Sequence, residues 1–301
     1  ETAMFERFSR SWGLIKASAG VLAKDKELLV FPLLSAICTL IVAAAFLLPA
    51  FGLGALDGLR DGGSGVSAVA YVLAFLFYLV QYFVIFFFNS ALVGAAMIRL
   101  DGGDPTVGDG LRIARSKALP ILGYAAIAAT VGMILRAIQE RAGFIGKLIS
   151  GALGVAWTLA SFLVVPVLVS RNIGPIDAVK ESAVLLKKTW GENLIGQGGV
   201  GLVFGLIFFG LIFAGAAVIA AVAMTGSGML IGLVVAIVII ALLLAGLVQA
   251  ALSGIYSAAL YRYAVGAGDS EGFDAQLLGQ AFRTKRAKLE NVADSVCIPL
   301  K

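Results

Sequence analysis

This chain has few residues with which to do chemistry. Its 301 residues include no histidine and two cysteines, Cys38 and Cys297. Without imidazole there are no histidine metal ligands, no Ser–His nucleophile and no histidine proton relay. Cys38 falls inside an apolar run and Cys297 in the tail, so no disulfide framework is implied. Between Leu28 and Tyr261 no Asp, Glu or Lys lies deep in an apolar run, and Arg136 is terminal to one. Ion-coupled transport relies on a buried ionisable group or polar broken helices. Intramembrane proteolysis relies on buried aspartates, a Ser–His pair or a metal site. Neither set is evident, so no catalytic residue, metal ligand or cofactor is expected.

Two polar stripes remain. Tyr71, Tyr78, Tyr82 and Asn89 are seven, four and seven residues apart. At about 100° per residue they stay within about 20° of one line over roughly 27 Å of helix. Gln249, Ser253 and Tyr256 make a shorter stripe near the end of the last apolar run. Such groups hydrogen-bond between packed helices, or they line a solute path or a lipid-headgroup groove. Apolar surroundings favour the first reading.

The elements that must position these residues are set by composition. Hydrophobic residues make up 60% and charged residues 14%, against about a quarter charged in soluble domains. The charge-free intervals are Leu28 to Leu56, Gly62 to Ile98, Ala118 to Leu135, Leu148 to Ser170 and Asn193 to Tyr261. A membrane span needs about 20 residues, so the first four read as single helices. The fifth would run roughly 100 Å as one helix, and Thr225-Gly226-Ser227-Gly228 divides it. Six spans result, at about residues 28–48, 69–98, 118–138, 148–170, 197–224 and 229–261, within one membrane domain over 1–268. A tail, 269–301, follows, with short amphipathic spacing through Phe273, Leu277, Leu278 and Phe282. Glu1-Thr2-Ala3 ahead of Met4, and the stretch from Lys288 to Lys301, are set aside as segments that need not be native.

The net charge of +5 does not point to nucleic acid, because of how it is distributed. With both termini on one side, that side holds nineteen Lys and Arg and the other holds four, Arg60, Arg136, Arg141 and Lys147. The positive-inside rule then places both termini in the cytoplasm.

Each pair of spans is preceded by an amphipathic segment. In Met4 to Lys26 the apolar face is Phe5, Phe8, Trp12, Ile15, Ala19 and Leu22. From Asp104-Pro105, read as an N-cap and first helical position, it is Val107, Leu111, Ala114 and Ala118. From Pro175 it is Ile176, Val179, Ala183, Leu186 and Trp190. All three read as helices lying at a bilayer surface. Arg7, Arg10, Arg112, Arg115, Lys187 and Lys188 are the candidate contacts to anionic lipid headgroups. Arg10-Ser-Trp-Gly, Arg115-Ser-Lys-Ala and Lys188-Thr-Trp-Gly share one pattern at one place in each unit. The chain is therefore expected to be an all-α integral membrane protein of three hairpins, each after a cytoplasmic interfacial helix. Pro166 inside span four needs neighbours to satisfy a freed carbonyl, and Gly201-x-x-x-Gly205 in span five suits close helix contact.

Several stretches carry a family resemblance: Phe8-Ser-Arg-Ser-Trp-Gly-Leu-Ile15, Leu100-Asp-Gly-Gly-Asp-Pro-Thr-Val107, Val165-Pro-Val-Leu-Val, Gly174-Pro-Ile-Asp-Ala-Val-Lys-Glu-Ser-Ala183 and Ala259-Leu-Tyr-Arg-Tyr-Ala264. They resemble an uncharacterised family of bacterial six-span integral membrane proteins, over nearly all of Met4 to Arg286. The proline-ended span running into an Ala-x-x-x-Ser helix and then Trp is similar, more remotely, to the membrane domain fused to some glycerophosphodiester phosphodiesterases. The hydrolase domain is missing from this chain. The resemblance thus implies a bacterial inner-membrane protein and transfers no catalytic residue. The leading expectation is a non-enzymatic scaffold or lipid-binding protein. The alternatives are an uncoupled facilitator for a small solute, or an accessory subunit with a membrane-protein partner or a second copy.

Overall fold

A computed structural model describes residues 15–52, 68–141, 143–190 and 198–267. Among them there are helices and turns and no strand. Helix α1 covers 15–24, and a 3-10 turn, Lys26–Leu29, leads into α2, Val30–Gly52. Then follow α3, Ala68–Leu100; α4, Val107–Ser116; α5, Ala118–Arg141; and α6, Gly143–Ser161. The chain continues with α7, Val164–Ser170; α8, Pro175–Trp190; α9, Gly198–Ala223; and α10, Gly228–Ala264. Six stretches are long and apolar enough to cross a membrane: Lys26–Pro49, Val72–Leu100, Ala118–Glu140, Gly146–Ser170, Val203–Ala223 and Gly228–Ala264.

Helix α3 is the hub, packing against α2, α4, α5, α7 and α10. The neighbours α2 and α3, α5 and α6, and α9 and α10 also pack on one another. Between α9 and α10 the chain turns at Gly226, whose φ of 69° suits glycine, and Ser227 caps α10 by accepting from the Leu230 amide. With 37 residues α10 is about 55 Å long, nearly twice the 19-residue α6.

The core lies toward one end of the bundle. It gathers Leu28 and Phe31, Ala91 to Leu100, Leu163 to Leu168, Leu185 and Leu186, and Ala251 to Tyr261. Close approach there depends on small residues. A β-carbon at Gly110 of α4 would stand 2.5 Å from Phe31 Cζ and 2.7 Å from the Ala91 carbonyl oxygen. One at Gly254 of α10 would collide with the Leu92 side chain of α3.

Ion pairs belt this end. Asp25, just after α1, is paired with Arg99 at the end of α3, and both are largely buried. Arg99 also reaches Asp104 at 2.7 Å, and Arg262 of α10 pairs with Asp101. Arg171, after α7, pairs with Glu181 of α8 at 2.7 Å and shares a hydrogen bond with Tyr261. That hydrogen bond, with Glu181 nearby, holds the Arg171 guanidinium above its ordinary value. Lys117 donates to the Arg171 carbonyl at 2.9 Å.

Five expectations are corrected. The cap of α4 is Thr106, in a reciprocal capping box with Asp109, while Pro105 precedes the helix and Asp104 turns to Arg99. The inward face of α8 is Ala178, Ser182, Leu185 and Leu186; Ile176 is 60% exposed. Because Ala178 and Ser182 are small, α8 can press into the bundle on that side, which apolar spacing alone does not reveal. Helix α1 likewise buries Ser18 and leaves Ala19 exposed. Span four is two helices, broken by a turn at Phe162 and Leu163. Pro166 then falls in the first turn of α7, where its missing amide hydrogen removes no intrahelical bond. Finally, no atom lies within 4 Å of a β-carbon placed at Gly201 or Gly205; Gly215 makes the close approach to α10, at Val238.

Candidate functional site

The polar stripe of α3 does not face one neighbour. Its upper part meets α5. Tyr78 and Tyr82 stack at 6.5 Å between ring centroids, Tyr82 and Phe86 at 5.7 Å, and Phe86 reaches Tyr124 of α5 at 4.5 Å. Glycine at 132 makes room for the Tyr82 hydroxyl, which a β-carbon there would meet at 3.4 Å. The Tyr78 hydroxyl accepts from Arg136 Nη1 at 2.9 Å, and Arg136 Nε donates to Glu140 at 2.8 Å. Asn89, lower on the stripe, sits against Gly254 of α10. Tyr71 lies in α3, with its side chain outside the described residues.

The shorter stripe of α10 divides as well. Tyr256 is buried, its ring 6.2 Å from that of Phe162 at the break in span four. Gln249 and Ser253 are half-buried. Tyr78, Tyr82, Asn89 and Tyr256 thus spread over contacts with α5, α10 and the α6–α7 junction, without forming one lining.

Of the cationic residues, Arg112 and Arg115 are exposed on α4, opposite buried Gly110 and Ala114, and Arg112 pairs with Asp109. Lys187 is exposed on α8. Lys188 lies in α8 with its side chain outside the described residues, and Arg7 and Arg10 lie outside them altogether. At the end of α10, Tyr261 shares a hydrogen bond with Arg171 and Arg262 pairs with Asp101.

Several polar residues were not singled out by spacing. Gln81 Nε2 donates to the Thr39 carbonyl of α2 at 3.2 Å, tying the first two spans together. Ser182 Oγ, fully buried, accepts from the Leu163 amide at 3.0 Å and so satisfies a backbone donor freed at the break. Ser18, Gln81 and Ser90 each keep a buried side-chain oxygen without a partner among the described residues. The signal for Asp25 was its position, one helical turn before the first charge-free interval and separated from it by only two charges. No group of three or more His, Cys, Asp or Glu among the described residues is placed to hold a metal ion.

A family model matches residues 68–272, about two thirds of the chain. The chain belongs to this family of unknown function, DUF6159. The DUF6159 match takes in α3 to α10, and with them the aromatic stack, Ser182 and every belt residue except Asp25; α1 and α2 precede it. No curated protein and no solved structure matches the chain, so the remoter similarity to the phosphodiesterase-linked membrane domain has no counterpart here.

Proposed function

We propose that this DUF6159 protein is a non-enzymatic membrane scaffold of the bacterial inner membrane that binds anionic lipid at its belted end, with both termini cytoplasmic. In this reading the chain is three units, α1 with α2 and α3, α4 with α5 and α6, and α8 with α9 and α10. The first helix of each unit sits at the inner surface. The observation that carries it is on α4: Gly110 and Ala114 press into the bundle while Arg112 and Arg115 stay exposed beside the belt. Lys16 and Lys187 are exposed on the other two leading helices. Each Lys or Arg near an anionic surface contributes about 1 kcal/mol. Against a solute path, Tyr78, Tyr82 and Asn89 meet α5 and α10 directly.

Neutralising Arg7, Arg10, Arg112, Arg115, Lys187 and Lys188 together is expected to lower the anionic lipid that co-purifies with the protein. Unchanged retention would leave these helices as connectors. Sidedness is tested on a Cys38→Ser, Cys297→Ser background. A cysteine at Ser227 should react with an impermeant thiol reagent from outside the cell, and one at Thr106 should not.

A further inference from the structure

We propose that Arg136, Glu140 and Tyr78 form a headgroup site for a zwitterionic phospholipid bearing a primary ammonium, on the face of the membrane opposite the belt. Nineteen positions along α5 separate Arg136 from Lys117 at the belt, which is about 28 Å. That is close to the hydrocarbon thickness of about 30 Å, so the guanidinium reaches the far headgroup level. Its side chain is 64% exposed and lies within a span, four residues before its end at Glu140. An arginine there is costly unless its donors are satisfied.

Two contacts orient it. Nε donates to Glu140 Oε1 at 2.8 Å and Nη1 to the Tyr78 hydroxyl at 2.9 Å. Of the five guanidinium N–H donors, three remain for a phosphate, and the Tyr78 hydroxyl, accepting from Arg136, keeps its own proton to donate. Glu140, 62% exposed, is held beside the cation. A net-anionic headgroup would meet that carboxylate unfavourably, whereas an ammonium is drawn to it. The arrangement complements a phosphate and an ammonium a few ångströms apart. This site is independent of the basic residues at the belted end.

The full chain, neutralised at Arg7, Arg10, Arg112, Arg115, Lys187 and Lys188 to remove anionic retention at the belted end, is reconstituted with an equimolar mixture of ethanolamine and glycerol phospholipids of identical acyl chains, and retained lipids are counted by native mass spectrometry. The ethanolamine lipid should be enriched about fivefold, the factor carried by a headgroup contact of ~1 kcal/mol. Arg136→Gln should abolish the enrichment and Tyr78→Phe should reduce it. Glu140→Gln should reverse it toward the glycerol lipid, because the cation then stands alone; a merely structural ion pair would not change sign. Restoring the basic residues of the belted end should add glycerol lipid and leave the ethanolamine lipid in place, which separates this site from anionic binding at the other end. Equal retention of both lipids by the belt-neutralised protein with Arg136, Glu140 and Tyr78 intact would overturn the assignment. So would an unchanged preference in Glu140→Gln protein that melts like wild type.

Discussion

Helix α10 passes through two environments. From Ala251 to Tyr261 every residue but Ser253 is buried, whereas from Gly228 to Ala250 none is. Helix α3 divides in the same way, with Ser90 to Ala96 buried and nothing buried from Val72 to Asn89. Hydropathy does not separate the halves, since both are apolar. Side-chain size does. The packed halves are richer in small residues, Ala91, Gly94, Ala95 and Ala96 on α3 and Ala251, Gly254, Ala258 and Ala259 on α10; the open half of α3 is mostly large and aromatic, and that of α10 spaces Gly232, Ala236, Ala241, Ala245 and Gly246 among leucine, isoleucine and valine. Lipid gives apolar helices no hydrophobic reason to associate, so they pack where small residues let backbones approach. Elsewhere, large side chains face the acyl chains.

The comparison is most exposed at Asp25. Removing it with Asp25→Ala takes away the buried carboxylate that Arg99 faces while its pair with Asp104 stays, and breaking a buried pair costs about 3–5 kcal/mol. The value should fall toward the lower bound because Asp104 stays. Asp177→Ala, which breaks an exposed pair with Lys180, should cost under about 1 kcal/mol. Equal unfolding midpoints in detergent would erase the distinction between the halves.

Gly110→Val is the next largest effect. The added side chain must displace Phe31 and the Ala91 carbonyl, an overpacking cost of about 1–3 kcal/mol. Gly232→Val, in the open half of α10 with no atom within 4 Å, should be tolerated in the same assay.

Ser182→Ala sharpens the contrast within one span. It leaves the Leu163 amide without its acceptor, a loss of about 1–2 kcal/mol that should appear as faster hydrogen exchange at Leu163 and little change in α6. The smallest effect belongs to the stripe. Tyr78→Phe, Tyr82→Phe and Asn89→Leu should each cost about 0.6 kcal/mol and leave solute flux into proteoliposomes unaltered. Stability that holds while flux falls would revive a path.

Much of the architecture was legible in the sequence because apolar length is a one-dimensional property. The six spans and the turn at Thr225 to Gly228 follow from runs of uncharged residues alone. The faces of α1 and α8 followed in part: Ile15, Leu22 and Leu186 are buried where spacing placed them. Apolar spacing picks the largest hydrophobic residues, while burial in this bundle also took in Ser18, Ala178 and Ser182, which are small. The break at Phe162 was also hidden, since Pro166 marks it only once Ser182, contributed by the following helix, is in place to take the Leu163 amide. The stripe was visible as spacing, but spacing cannot say that Tyr78 meets α5 and Asn89 meets α10. That division depends on which helix stands beside α3 at each depth.

The unequal reach of α5 and α10 has a consequence for the surrounding bilayer. A flat hydrocarbon layer of about 30 Å is close to the ~35 Å of the 23-residue stretch Ala118–Glu140 of α5 and falls far short of the ~55 Å of α10. The α9–α10 side must lean, or the lipid beside it must stretch, at a fraction of a kcal/mol per ångström. The lipid annulus is therefore graded from one flank of the protein to the other. Acyl-chain length then acts as a mechanical load on the molecule, changing its inclination in membranes of different thickness.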